Sequence, residues 1–492
     1  MIKKDLIIIK YIPMKSYISK KGYILIKNNF DETSLNKIKK ELTVKPNVNE
    51  DYGAKAKPFK VYRESKTKLY IPKFYAIKKL GKTEDKTGEG IDINVKFNGS
   101  IRDTQKGIVD KCIKQIKEVG GGLLSLPCGF GKTVIALYLI SVFKKKALVI
   151  VNQEFLMDQW IERINTFLPG LKIGKIQQKK VEVDGFDISI GMLKSISKKD
   201  YEPDTFNDFG FVIVDECHNI ATKEYSKALR KINSKYMIGL SATPKRKDGL
   251  TKVINWYIGD IFLEIERQTD FEVNVERYIF NSDNKLYKEI FLNYKGRPML
   301  PKMITRVSEY YKRTNIICSK ILDVTKNKNN QILLLSERRN QLKEIEKLIK
   351  GKVEYGFFVG GMKKEDREES MNKQVILATF HIAREALDIK TLNVLFLATP
   401  KSDIIQAVGR ILRDKHSEGD NSRLIVDFVD NFSSFANQSK RRLTYFRKKN
   451  YNIKTFEIDE DGDITDSYDD NYISKKKSKK EITGPLFAFF KK

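Results

Sequence analysis

Apolar residues along this chain keep two rhythms. Short, mostly apolar runs at 123–126, 148–151, 188–191, 211–214 and 236–240 are separated by stretches with helical spacing, such as 134–140. Runs of that length between helical segments predict strands buried on both faces, and so a parallel sheet with helices on each side. The alternation breaks near residue 265 and resumes with runs at 332–335, 355–359, 375–378, 394–397 and 424–427. The pattern predicts an α/β protein with two tandem doubly wound parallel-sheet lobes, at 96–265 and 316–455. Ahead of them, residues 1–95 alternate loosely, with Leu6, Ile8, Tyr23, Leu25 and Ile26 as apolar positions, and read as a small accessory domain of short strands. Residues 83–90 are polar and glycine-containing and read as a loop. Residues 266–315 mix charged and aromatic side chains, including Tyr294-Lys295-Gly296-Arg297-Pro298 and Tyr310-Tyr311-Lys312-Arg313, and read as an interlobe connection or insert. From 456 to 492 an acidic block, a basic block and the cluster Leu486-Phe487-Ala488-Phe489-Phe490 follow one another. Blocks of like charge predict a disordered tail.

Several predicted strands run into residues with chemistry. After 123–126 comes Leu126-Pro127-Cys128-Gly129-Phe130-Gly131-Lys132-Thr133, which opens onto the helical stretch 134–140. Strand, glycine loop and helix is the context in which backbone N–H groups and a helix N-terminus close around phosphate. Lys132 would supply a point charge to the outer phosphates and Thr133 a hydroxyl for Mg²⁺. The usual first glycine of such loops is Leu126 here. The run 211–214 ends in Asp215-Glu216-Cys217-His218, placing two acids at the carboxyl end of a strand, where ligands of α/β sheets bind. Asp215 would hold Mg²⁺ through water, and Glu216 would orient or deprotonate the attacking water. The run 236–240 leads into Ser241-Ala242-Thr243-Pro244. Later stand Thr379-Phe380-His381-Ile382-Ala383-Arg384-Glu385-Ala386-Leu387-Asp388 and Gln406-Ala407-Val408-Gly409-Arg410-Ile411-Leu412-Arg413. Gln406, Arg410 and Arg413 share one helix face, and arginines so placed can reach a γ-phosphate across a cleft. In isolation the same helix is more often a solvated basic face, and it is the ordered series of motifs that overturns that reading. Trp160, in a helical stretch, reads as core. Together these elements predict a nucleoside-triphosphate hydrolase.

The ordered series resembles the superfamily 2 DExH helicase core, a pair of RecA-like lobes. Arg246-Lys247-Asp248 echoes the Arg-Glu-Asp element of XPB-type DNA helicases, and residues 57–80 resemble the segment before the core in poxvirus-type transcript-release helicases. Those belong to large nucleo-cytoplasmic DNA viruses and are similar to a phage branch-migration helicase. The departures are Ala386, where a glycine is usual, and Lys247, where an acid is usual. The resemblance implies ATP and Mg²⁺ as cofactors. It implies that Arg102 and Gln105 meet the adenine, and that Asp388 and Gln406 join the nucleotide contacts of residues 127–133. By the same resemblance Ser241, Ala242, Thr243 and His218 couple hydrolysis to motion, while Thr379 and Arg246 meet nucleic acid. It further implies a DNA helicase or translocase working in transcript release, late-gene transcription or recombination, with an RNA polymerase or other transcription factor as partner. A DExH RNA helicase and an ATP-gated nucleic-acid clamp are the alternatives. The implied location is the virion and the host cytoplasm.

Composition narrows the partners. A formal net charge of +30 over 492 residues favours a polyanion. Cys112, Cys128, Cys217 and Cys318 show no Cys-x-x-Cys spacing, and with only three histidines no zinc site is expected. That usage suits a reducing, intracellular compartment. The apolar run Leu6-Ile7-Ile8-Ile9 is too short for a membrane span. Tyr62, Arg63, Tyr70, Phe74 and Tyr75 fit a strand-binding surface and half-buried strands equally. The cluster at 486–490 fits a docking peptide for a partner as well as internal packing.

Overall fold

The structure, a computed structural model, describes residues 16–47, 56–127, 129–265, 272–382, 389, 391–412 and 422–470. The chain divides near residue 267 into two compact units. Unit 1 opens with short strands β1 (Ser16–Ser19), β2 (Gly22–Ile26), β3 (Thr43–Val44), β4 (Phe59–Lys60), β5 (Arg63–Glu64) and β6 (Lys68–Ile71), with helices α1 (Glu32–Glu41) and α2 (Lys73–Leu80). An antiparallel sheet runs β1-β2-β6-β5, and β3 pairs with β4.

The main sheet of unit 1 holds eight strands: β7 (Gly121–Ser125), β8 (Ala147–Val151), β9 (Ile173–Gln177), β10 (Lys180–Val181), β11 (Ile188–Met192), β12 (Phe211–Val214), β13 (Tyr236–Ser241) and β14 (Ile261–Glu264). Their order is β10-β9-β11-β8-β12-β13-β7-β14, parallel throughout except for the β9–β10 hairpin. Helices α3 (Asp103–Val119), α4 (Lys132–Phe143) and α5 (Glu154–Phe167) cover one face through Ile116, Ile135, Leu139 and Ile164. The other face meets α6 (Leu193–Lys198) and α7 (Thr251–Ile258), and it shares one core with the N-terminal strands. Tyr23, Leu25, Val61 and Tyr75 pack there with Val212, Ile254 and Tyr257. Tyr62, Phe74 and Tyr75 are buried, so these aromatics serve packing rather than a strand-binding surface.

Unit 2 carries α8 (Leu300–Glu309), α9 (Tyr311–Val324), α10 (Arg339–Ile349), α11 (Lys364–Met371), α12 (Ile405–Ile411) and α13 (Ser433–Lys448). Its strands are β15 (Glu272–Phe280), β16 (Ile332–Ser336), β17 (Tyr355–Phe358), β18 (Val375–Thr379), β19 (Val394–Leu397), β20 (Ser422–Asp430), β21 (Asn452–Ile458) and β22 (Ile464–Asp469). They order as β17-β18-β16-β19-β20-β15-β21-β22, parallel except for the last pair. The two parallel-sheet lobes are as the pattern predicts. Two edges of that reading change. β15 lies in the stretch expected to link the lobes, yet it is an interior strand of the second sheet. β21 and β22 lie where a charged tail was expected from 456. The physical reason is a buried ion cluster: Arg277 of β15 faces Asp427 of β20 at 3.5 Å and Asp470 at 3.6 Å, while Arg442 of α13 meets Asp427 at 2.8 Å. Paired inside, these charges become compatible with a core. Among the described residues no helix is long and apolar enough to cross a membrane. Residues 1–15, with the run at Leu6, and the cluster at 486–490 lie outside the described residues.

Candidate nucleotide site

β7 is buried along its whole length and delivers the chain into the phosphate loop. Gly129 (φ 80°) and Gly131 (φ 84°) adopt the left-handed conformation that glycine takes without penalty. A Cβ at Gly131 would also sit 2.4 Å from Gln105 Nε2. That loop hands over to α4, whose first residue is Lys132, so its free N–H groups and dipole face the loop. The donors suit phosphate oxygens. Lys132 Nζ donates to the Leu126 carbonyl at 3.2 Å. Gln105 accepts the Arg102 N–H through Oε1 at 3.3 Å at the start of α3, and, buried, donates through Nε2 to the Phe130 carbonyl at 2.8 Å. The residue expected to read a base thus also holds the loop's backbone.

Asp215 leaves the end of β12 with both carboxylate oxygens satisfied. Oδ1 accepts the Glu216 N–H at 2.9 Å, and Oδ2 accepts the indole N–H of Trp160 at 2.9 Å. Burial pushes this carboxyl up to about 6, and the Glu216 charge adds to the rise; the Trp160 N–H and Lys132 oppose it. Trp160 is therefore more than core filling. It is almost wholly buried on α5, and its polar edge aims Asp215. The sequence offered one signal for this, since a buried indole N–H needs an acceptor. A carboxylate held by two N–H donors beside a lysine and a phosphate-type loop fits a hydrated divalent cation shared with Thr133.

Glu216 takes a left-handed backbone (φ 44°, ψ 50°), a strained state for a non-glycine residue. The turn brings its carboxylate 3.2 Å from His218 Nδ1, which lies 3.0 Å from Ser241 Oγ. Ser241 Oγ in turn accepts the Thr243 N–H at 3.1 Å. The line continues outward. Arg246 donates to the His218 carbonyl at 2.6 Å and pairs with Asp248 through Nε at 3.0 Å and through Nη2. Asp248 gives its backbone carbonyl to the Asn47 N–H at 2.9 Å. Arg246, expected on nucleic acid, thus spends much of its guanidinium tying the Asp-Glu-Cys-His turn to the segment after β13. A continuous polar path links Glu216 with the N-terminal strands, all within unit 1.

In unit 2, Thr379 ends β18, and buried Gln406 and Arg410 lie one turn apart on α12. Arg423 of β20, also buried, donates to the Ile411 carbonyl at 2.8 Å and fixes the end of that helix. Sequence reasoning missed Arg423, since a lone arginine at the start of an apolar strand gives no signal of what it holds. Cys128, Asp388 and Arg413 lie outside the described residues.

Comparisons with known proteins follow the same division. Residues 98–246 match the family described as type III restriction enzyme, res subunit. Residues 313–415 match the helicase conserved C-terminal domain. A protein of Acanthamoeba polyphaga mimivirus, provisionally named an ATP-dependent RNA helicase, is 36% identical over 468 residues, covering 91% of this chain and 88% of its own length. A protein of African swine fever virus under the same provisional name is 27% identical over 380 residues, covering 71% of this chain and 73% of its own. Among solved structures, a fragment of a provisionally assigned HsdR subunit of a type I restriction enzyme from Vibrio vulnificus aligns with a TM-score of 0.55 at 17% identity. It covers 75% of this chain and 71% of its own, which is a likeness of fold.

Proposed function

We propose that this chain, which belongs to the superfamily 2 helicases in one family with the mimivirus protein and is an ATP-dependent helicase, works on DNA. The observation that carries the chemistry is the line Trp160–Asp215–Glu216–His218–Ser241, which holds two acids beside the phosphate loop. Lys132 and the N–H groups at the start of α4 bind the phosphates. Thr133 and Asp215 would hold Mg²⁺, which when bound neutralises phosphate charge. Glu216 takes or orients the proton of the attacking water, and His218 and Ser241 fix its carboxylate. Gln406, Arg410 and Arg413 are the residues that the helicase resemblance assigns to charge developing on the γ-phosphate.

Support for DNA comes from the Arg246-Lys247-Asp248 element, similar to that of XPB-type DNA helicases. The net charge of +30 supports sequence-independent binding through backbone phosphates. The task would be transcript release or late-gene transcription beside an RNA polymerase, or recombination, in the host cytoplasm and virion. A second reading, an RNA track, is favoured by the names of the mimivirus and African swine fever virus relatives. ATPase stimulation by duplex DNA, single-stranded DNA, forked DNA and single-stranded RNA separates them. Stimulation by RNA alone would overturn the DNA reading, and stimulation by none would overturn both.

A further inference from the structure

The segment between β15 and α8 belongs to none of the motifs above, yet it is firmly built. At its base the Asn284 side chain accepts the Leu286 N–H at 2.8 Å, and the Tyr287 hydroxyl donates to Asp430 at 2.5 Å. Asp430 is itself clamped by Arg313 at 2.8 and 2.9 Å, wholly inside unit 2. Beyond this anchor the chain folds into a small hairpin. Met299 N–H meets the Phe291 carbonyl at 2.6 Å, Leu292 bridges Pro298, and Asn293 N–H meets the Arg297 carbonyl at 2.8 Å. Gly296 turns the tip with φ 68°.

Phe291 packs inward, but the hairpin and the turn before it leave other apolar side chains exposed. Tyr294 at the tip is 83% exposed, and Leu286, Ile290 and Leu292 are exposed as well. Four large apolar side chains exposed within nine positions form a patch that soluble proteins tend to cover. Its electrostatics select the partner. The carboxylates nearby are already occupied: Asp283 pairs with Lys288 at 3.5 Å and Glu289 with Arg306 at 2.8 Å. Lys285, Lys295 and Lys302 have no carboxylate partner among the described residues. The Lys295 ammonium lies 5.5 Å from the Tyr294 ring, and Lys302 lies 5.9 Å from the ring of Phe291. An exposed aromatic tip among uncompensated lysines is the surface on which unpaired bases stack while the backbone meets cations.

We propose that the hairpin of residues 291–299 binds single-stranded nucleic acid, with Tyr294 stacking on a base and Lys285, Lys295 and Lys302 meeting phosphates. This rests on the helicase reading above and adds to it a place where the strand is held unpaired. The test titrates the full-length protein with fluorescently labelled oligothymidylate, oligouridylate and a blunt duplex of equal length. Tyr294→Ala should weaken binding to the single strands by about tenfold and leave the duplex within about twofold, and Tyr294→Trp should restore the loss. Lys285→Gln with Lys295→Gln should reduce the slope of log affinity against log salt on single strands by about 1.4. Basal ATPase and melting temperature of Tyr294→Ala should match the wild type, because the side chain is exposed. Single-strand binding unchanged in Tyr294→Ala, or an equal loss on duplex, overturns the proposal and leaves the patch to a protein partner. Wild-type protein that binds none of the three probes overturns the nucleic-acid reading itself.

Discussion

Replacing Trp160 by phenylalanine should loosen the grip on Mg²⁺ without altering any side chain assigned to the nucleotide. The substitution keeps an aromatic ring in the core and removes the N–H that lies 2.9 Å from Asp215 Oδ2. A hydrogen bond to a charged acceptor contributes about 1.5–3 kcal/mol, so an orientation wholly dependent on it would shift metal affinity by about 10- to 150-fold. Asp215 keeps its second anchor, the Glu216 N–H at 2.9 Å, so the effect belongs at the lower end, about tenfold. Shrinking a nearly fully buried side chain also leaves a cavity, and the fold should lose about 1–3 kcal/mol. The two losses are read separately. Mg²⁺ titration of the ATPase reports one, as does Mn²⁺ binding followed by electron paramagnetic resonance with a non-hydrolysable ATP analogue. Thermal melts report the other. A variant that melts lower but keeps the wild-type Mg²⁺ half-saturation and Mn²⁺ affinity would show that Trp160 only fills space, and the positioning role would be wrong.

Glu216→Gln should retain ATP binding and lower turnover by about a hundredfold or more; near-normal turnover would remove its role as base. Arg410→Ala should abolish nucleic-acid-stimulated hydrolysis with little change in nucleotide affinity, as measured by equilibrium titration beside steady-state ATPase. Arg442→Met should leave buried Asp427 only its longer 3.5 Å contact with Arg277 and cost about 3 kcal/mol, read as a lower denaturant midpoint. Asp215→Asn tests linkage. Burial raises this carboxyl to about 6, so its ionisation costs stability that is absent at pH below its ordinary range and grows as pH rises through 6. Without nucleotide or metal, the melting temperature of Asp215→Asn relative to wild type should rise between acidic and neutral pH, and a constant gap would refute the shift.

The two lobes were legible because the strands that lead into the motifs are short, mostly apolar runs ending in a polar signature. β12 is Phe211-Val212-Ile213-Val214, buried throughout, and Asp215 follows at once. Recognition failed where a polar atom sits inside an apolar context. Trp160 looks like any core aromatic until its N–H is traced to Asp215. In α13 the structure buries Arg442, next to apolar Leu443, because Asp427 waits beneath it. β15 carries Glu272, Asn274 and Glu276 between apolar residues, a period-two pattern that mixed charges obscured. Its Arg277 is acceptable only because strands distant in sequence supply Asp427 and Asp470. Such pairings are tertiary facts, and local patterning cannot contain them.

The same pairings bear on how the chain holds a polyanion. Arg313, Arg423 and Arg442 are among the largest fully buried side chains, and Arg277 is nearly so. Each guanidinium is spent on a carbonyl or carboxylate within unit 2, which suits its fixed planar fork of donors. Arg246 is spent in the same way in unit 1. These arginines act as internal fasteners, so much of the charge left for phosphate rests on lysine, whose ammonium is a point charge with no directional match to a base edge. A lysine-dominated surface binds backbone and ignores sequence. That is the behaviour a motor needs if it is to advance over any template, and it ties affinity to counterion release. Directional contacts then have to come from a few fixed elements, of which the anchored tyrosine hairpin is the clearest in unit 2.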